Sequence, residues 1–372
     1  MKRLAYIDGL KGVCALWVCF FHYILAFYPY GFIGWGSNVP PEKALYVYYN
    51  AFPFSVLSNA SYPLYIFFAL ISFIPTYNFF QTRKSVFFHH QIYKRYFRLM
   101  PPVLACTLIG YFLWQANWNY NLQLAPLTNS SWVLALIPGN LSLTDALKSG
   151  LFMAFINGDG RYNSVLWCMN IILIGSYLTY LFLAVFAKTK GRFAVYLIAS
   201  FFCFKFPDYT AFLCGILAAD FLTHVKLPLT VNTGGLYVAA GFIIGNFPIV
   251  VYLPQVPNSL MYGIGALFIS IGCFGTIVFQ KALSGSILTY FGKISFPLIL
   301  THFFVMQTFS FGLFVYLNRL GIPFYWNLVL MTCASLPLLW GAAEIFYRWI
   351  EKPTEYLLSL LFSKTRKNHS KA

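Results

Sequence analysis

Apolar stretches of about twenty residues, each long enough as a helix to cross ~30 Å of hydrocarbon, recur along this chain between short polar or basic loops. The pattern predicts about ten transmembrane helices, near Gly9–Tyr28, Val56–Phe80, Leu99–Trp118, Ser164–Phe186, Phe193–Phe206, Tyr209–Thr223, Gly234–Leu253, Leu260–Phe279, Ile287–Leu317 and Phe324–Phe346. Period-two alternation of the outer-membrane barrel kind is absent. The expected fold class is all-α, a polytopic membrane protein. Its transmembrane domain is expected over residues 1–350, followed by a cytoplasmic basic tail over 351–372. Two longer connections, Pro29–Phe54 and Asn119–Asn163, fall on the outer side. The second contains an amphipathic stretch, Leu143–Phe155, suited to a membrane surface.

Composition agrees: 59% of the 372 residues are hydrophobic and 9% are charged, too few for a soluble surface. A net charge of +16 raises the question of nucleic acid. The positive residues instead cluster at Lys2–Arg3, Arg83–Arg98, Lys188–Arg192, His224–Lys226, Lys281 and Lys364–Lys371. With ten spans, all of these loops lie on one side. The positive-inside rule makes that side cytoplasmic and puts both termini inside; lipid partners, no nucleic acid and a plasma-membrane location are expected. Lys11 and His22 interrupt the first apolar run and no small-residue cleavage site follows, so that run is expected to be retained as a span. The eight cysteines are scattered in apolar segments without C-x-x-C spacing, which predicts buried free thiols and no metal site.

Two places carry candidate chemistry. In the first span, Lys11, Ala15, Val18 and His22 share one helical stripe, with Lys11 and His22 ~16 Å apart along the axis. Ionisable groups at membrane depth usually face a bundle interior or wet cavity and mark function. A packing histidine with a snorkelling lysine is the structural alternative. Asp8, one turn before Lys11, is placed either to pair with it or to complement the helix N-terminus. In the basic segment before the third span, Arg95 and Arg98 lie three apart on one helix face. Two guanidinium forks at that spacing suit a phosphate or carboxylate, and equally a lipid headgroup.

Asp8-Gly9-Leu10-Lys11-Gly12 followed by His22, Phe67 to Phe73, Arg95-Tyr96-Phe97-Arg98, Leu166 to Met169 with Gly175-Ser176, Gly292 to Leu298 with Thr301-His302, and Ile350-Glu351-Lys352-Pro353 occur in the order of motifs in a known family. Together they resemble the integral-membrane acyltransferase-3 proteins. The family usually has arginine at Lys11 and glutamate at Ile172. Asn170 and Ser176 are the nearby polar substitutes, either for that carboxylate or as interhelical hydrogen-bonding residues.

The resemblance implies an O-acyltransferase that takes an acyl group, commonly acetyl, from cytoplasmic acyl-CoA to a hydroxyl across the membrane. The expected acceptor is a surface polysaccharide or other glycan. It implies His22 as the catalytic base, Arg95 and Arg98 as ligands of the donor's phosphates, Lys11 as a positive charge near the donor, and Asp8 as its support. His302 and Ser295 are expected to join helices. Two other classes stay open. One is a proton-coupled transporter or flippase, which an intramembrane Lys and His would suit. The other is a catalytically impaired relative acting as an assembly partner.

Overall fold

The computed structural model describes residues 4–29, 59–82, 88–139, 141–224, 228–247 and 253–368. Among them there is helix and no strand. The main helices are α1 Ala5–Phe27, α2 Ser61–Thr82, α3 Phe88–Gln115, α4 Asn121–Thr128, α5 Leu143–Lys148, α6 Cys168–Val185, α7 Arg192–Lys205, α8 Thr210–His224 and α9 Val231–Asn246. They continue as α10 Asn258–Gly275, α11 Ser286–Lys293, α12 Ser295–Val305, α13 Phe311–Arg319, α14 Phe324–Phe346 and α15 Lys352–Asn368. The expected outer segment Pro29–Phe54 lies, from residue 30 onward, outside the described residues, as do the basic side chains of the tail from Lys364 onward.

Helix stands at each of the ten expected positions, but among the described residues seven stretches are long and apolar enough to cross a membrane. The shortfall is at α7, α8 and α9, which have 14, 15 and 16 residues. At 1.5 Å per residue they rise only ~21–24 Å, short of a ~30 Å hydrocarbon core. The expected basic tail is also helical as far as Asn368, because α14 runs through the π turn Tyr347–Glu351 directly into α15. The wider π turn just before Pro353 relieves the clash that proline makes with the carbonyl four residues earlier.

The contacts divide the described chain into two units. The first contains residues 1–21, 48–92 and 171–295. Small residues let its helices touch at backbone distance: a Cβ on Gly265 of α10 would meet the Gly245 Cα of α9 at 2.7 Å. The Ser72 hydroxyl of α2 donates to the Phe212 carbonyl of α8 at 2.7 Å. Asp220 of α8 is buried and accepts from Arg192 Nε at 3.0 Å and the Tyr196 hydroxyl at 2.9 Å, which ties α7 to α8. The start of α1 packs against α11 just as closely. A Cβ on Gly12 would lie 2.3 Å from the Leu288 carbonyl oxygen, and one on Gly292 would lie 1.8 Å from that of Asp8.

The second unit contains residues 22–47, 93–170 and 296–372. The last turns of α1 are anchored by the Ser130 hydroxyl, which donates to the Leu25 carbonyl at 2.9 Å. Phe27 packs edge-on against Phe311 at 5.6 Å between ring centroids. Tyr23 and Ser310 hydroxyls lie 2.7 Å apart, and Ser310 continues to the Ser335 hydroxyl at 2.8 Å, which joins α1, the π turn Met306–Ser310 and α14. The stretch expected to be amphipathic is helical from Leu143 to Ile156. It buries Ala146, Ser149, Gly150, Ala154 and Phe155 and exposes Leu143, Leu147, Phe152 and Ile156.

Candidate active site

The second unit brings two histidines together that lie 280 positions apart. His302 Nε2 is 3.0 Å from His22 Nδ1. His302 is fully buried on α12, and its Nδ1 faces the Ile299 carbonyl at 2.8 Å and the Leu298 carbonyl at 3.2 Å. A carbonyl oxygen only accepts, so Nδ1 of His302 carries the hydrogen and, in the neutral ring, Nε2 is an acceptor. His22 Nδ1 must then donate, which leaves the lone pair of His22 on Nε2. Helix carbonyls thus fix one tautomer, and that tautomer fixes the other.

Ring packing fixes the orientation as well. His22 stacks on Trp132 at 5.7 Å with 14° between planes, and Phe303 lies 4.9 Å from it on another side. Asn163 holds α12 beside this pair: its Nδ2 donates to the Leu300 carbonyl at 2.7 Å while its Oδ1 accepts from the Val165 N–H at 3.3 Å. The loop that delivers Asn163 is closed by Asp159 and Arg161, whose Nη2 lies 2.8 Å from Asp159 Oδ2. Burial pushes the Asp159 carboxyl up, but hydrogen bonds from the Arg161 side chain and N–H, together with its charge, outweigh that and hold it below the ordinary carboxylate value.

The other sequence-predicted residues are distributed as follows. In the first unit, Lys11 Nζ lies 3.4 Å from Asp8 Oδ1, one helical turn away, in a partly buried pair. In the second, Arg95 and Arg98 stand on α3, and Arg98 Nη2 hydrogen-bonds to the Glu355 carboxylate of α15. Ile172, at the family's glutamate position, is buried. Asn170 Nδ2 donates to the Phe155 carbonyl at 3.0 Å and also to that of Ile156, and the Ser176 hydroxyl donates to the Ile172 carbonyl at 2.6 Å. Both substitutes therefore serve backbone carbonyls. Among the described residues, no cluster of His, Cys, Asp and Glu could hold a metal ion, and the described cysteines are free thiols.

The model of the acyltransferase-3 family, an acyltransferase domain, matches residues 4–344. The chain belongs to that family. It is a membrane acyltransferase, and the match covers the first span, the arginine pair and both histidines. No curated protein and no solved structure matches the chain.

The sequence reading assigned His302 to helix joining and missed its contact with His22. The available signal was a histidine inside an apolar run, the same signal that singled out His22. It also missed Trp132 and Asn163. An aromatic residue and an asparagine in a connecting segment carry no local mark of the partner they will meet.

Proposed function

We propose that this acyltransferase moves an acyl group, most simply acetyl, from acyl-CoA at the cytoplasmic face to a hydroxyl of an extracytoplasmic glycan, with His22 as general base. The observation that carries this reading is the His302–His22 hydrogen bond. It places the proton-accepting lone pair on His22 Nε2 and provides a buried acceptor for Nδ1–H, whose bond strengthens as positive charge develops on the ring. The acceptor hydroxyl gives its proton to Nε2 as its oxygen attacks the thioester carbonyl. The carbon–sulfur bond then breaks, and the departing thiolate takes the proton back from the His22 imidazolium. Neither acid nor base is consumed. A positioned base of this kind contributes ~10²- to 10⁴-fold.

Arg95 and Arg98 have the chemistry to hold the donor's phosphates. Glu355 already engages Arg98, so phosphate binding there is a competition between two anions, won by the more highly charged. Lys11 supplies a fixed positive charge on the same helix as His22, and Asp8 keeps its ammonium in place. In this reading both termini are cytoplasmic, in keeping with the loop charges, and the membrane is the plasma membrane, where a surface-glycan acceptor is met.

Mass spectrometry of surface glycans from cells with and without the protein tests the proposal. A glycan fragment heavier by one acyl group only in the presence of the protein is the expected result. Identical glycan masses, with the acyl group found on a lipid or peptide instead, would remove the glycan acceptor.

A further inference from the structure

Trp132 stands on a helix of five residues, Ser131–Ala135, in the connection between α4 and α5. A helix that short cannot hold itself in place, so its position is set from outside. Two buried hydrogen bonds do so. The Ser130 hydroxyl donates to the Leu25 carbonyl of α1 at 2.9 Å, and Asn121 Nδ2 of α4 donates to the Val133 carbonyl at 2.9 Å. Leu25 follows His22 by three residues, which ties the short helix to the turn of α1 that carries the proposed base. The indole is thereby buried in an offset stack on the His22 ring.

The contacts around His22 divide by direction. His302 Nε2 meets the edge of the ring, as the acceptor for Nδ1–H. Phe303 meets it tilted by 58° and also packs on Trp132, with 5.8 Å between centroids. Trp132 lies within 14° of parallel and turns the plane of its π system toward the imidazole. That plane carries the negative lobe of the ring quadrupole, and indole is the strongest such face among the side chains. Two neutral rings stack in the same way, so packing accounts for the geometry before reaction. The difference arises when His22 takes a proton and becomes a cation, 5.7 Å from the indole centroid and out of water. A cation there is favoured by roughly three- to thirtyfold over one beside an aliphatic side chain.

We propose that Trp132 is a positioning residue for His22 whose π face stabilises the imidazolium formed as the acceptor hydroxyl gives up its proton. The assignment rests on the general-base reading above. It goes further in naming a second group, beside His302, on which the charged state of the base depends, and it gives the short helix Ser131–Ala135 a part in transfer.

The test replaces Trp132 of the full-length protein by mono-, di- and tetrafluorotryptophan through stop-codon suppression. Fluorine drains the π face while nearly keeping the shape of the indole, so folding and packing are held constant across the series. Transfer is read as radiolabel passing from acetyl-CoA into any acceptor in inside-out vesicles of the producing cells, which does not presuppose a glycan. The single-turnover rate should fall stepwise with fluorination, by roughly tenfold at the tetrafluoro ring, with the apparent affinity for acetyl-CoA unchanged. Trp132→Phe should retain more of the rate than Trp132→Leu, because it restores an aromatic face. A rate that ignores fluorination, or a loss confined to acetyl-CoA affinity, would overturn the proposal. His22→Ala separates the two readings: an inactive His22→Ala protein beside a flat fluorination series would leave the base in place and reduce Trp132 to packing, whereas a fully active one would remove the base and this proposal with it.

Discussion

Asn163 Nδ2 lies 2.7 Å from the Leu300 carbonyl oxygen, two residues before His302. The same side chain caps the 3₁₀ turn that opens α6, so one amide sets both the start of a span and the seat of a buried histidine. Asn163→Ala should cost ~1–3 kcal/mol, because the interaction is buried and its partners lose their satisfaction. Thermal unfolding in detergent measures that loss. If Asn163 positions His302, kcat should also fall while KM for the acyl donor is unchanged; a purely global destabilisation would lower the active fraction without altering either constant per folded molecule.

The two histidines should separate in their pH behaviour. His22→Ala is expected to reduce turnover by roughly 10²-fold or more in folded protein. His302→Leu removes the acceptor for His22 Nδ1–H and should reduce kcat by roughly tenfold or more, with an altered pH profile. His302→Gln offers a carbonyl oxygen in the same region and should recover part of the rate. Equal activity of the Leu and Gln variants would show that His302 only fills space.

Arg98 and Glu355 predict a competition. Glu355→Gln frees the guanidinium and should tighten acyl-CoA binding, whereas Arg95→Gln with Arg98→Gln should weaken it and spare acceptor binding. Both shifts should shrink at high ionic strength, since the pair is half exposed. Isothermal titration with a non-hydrolysable acyl-CoA analogue reads them directly. Donor affinity that ignores all three substitutions would assign the arginines to lipid headgroups.

Lys11 should tolerate a change of shape better than a loss of charge. Lys11→Arg is expected to retain activity and Lys11→Met to lose most of it, since only the former keeps a cation beside Asp8. Transfer assays on the purified variants decide it. An inactive Lys11→Arg protein with normal donor binding would indicate a lysine that must give up its proton, the behaviour of a proton-coupled carrier.

The helical membrane architecture was legible because length and apolarity are local properties, and so was the Asp8–Lys11 pair, three residues apart on one helix. The shortness of α7 to α9 was less legible. Their flanks stay apolar past the points where Phe206 and Phe247 leave helical geometry, so hydropathy overstates their length. His22 announced itself as an ionisable group in an apolar run, but its partner did not, because no periodicity links positions 22 and 302. The glycines of the first-span and Gly292 motifs entered the sequence reading only as members of those motifs. They are the contact surface itself, with Gly12 against Leu288 and Gly292 against Asp8.

The π turn Met306–Ser310 has a consequence for how the chain tolerates change in length. It holds one residue more than an α turn would need, and the wide turn absorbs that residue, so the helix on either side keeps the phase of an α-helix one residue shorter. Removing one residue within the turn would close it to an α turn and leave the flanking faces where they are. Removing one from the flanking α-helix would instead turn everything beyond it by ~100° and part Ser310 from Tyr23 or Ser335. The span is therefore specified by angle as well as by length, and a single-residue deletion should be better tolerated inside the turn than beside it.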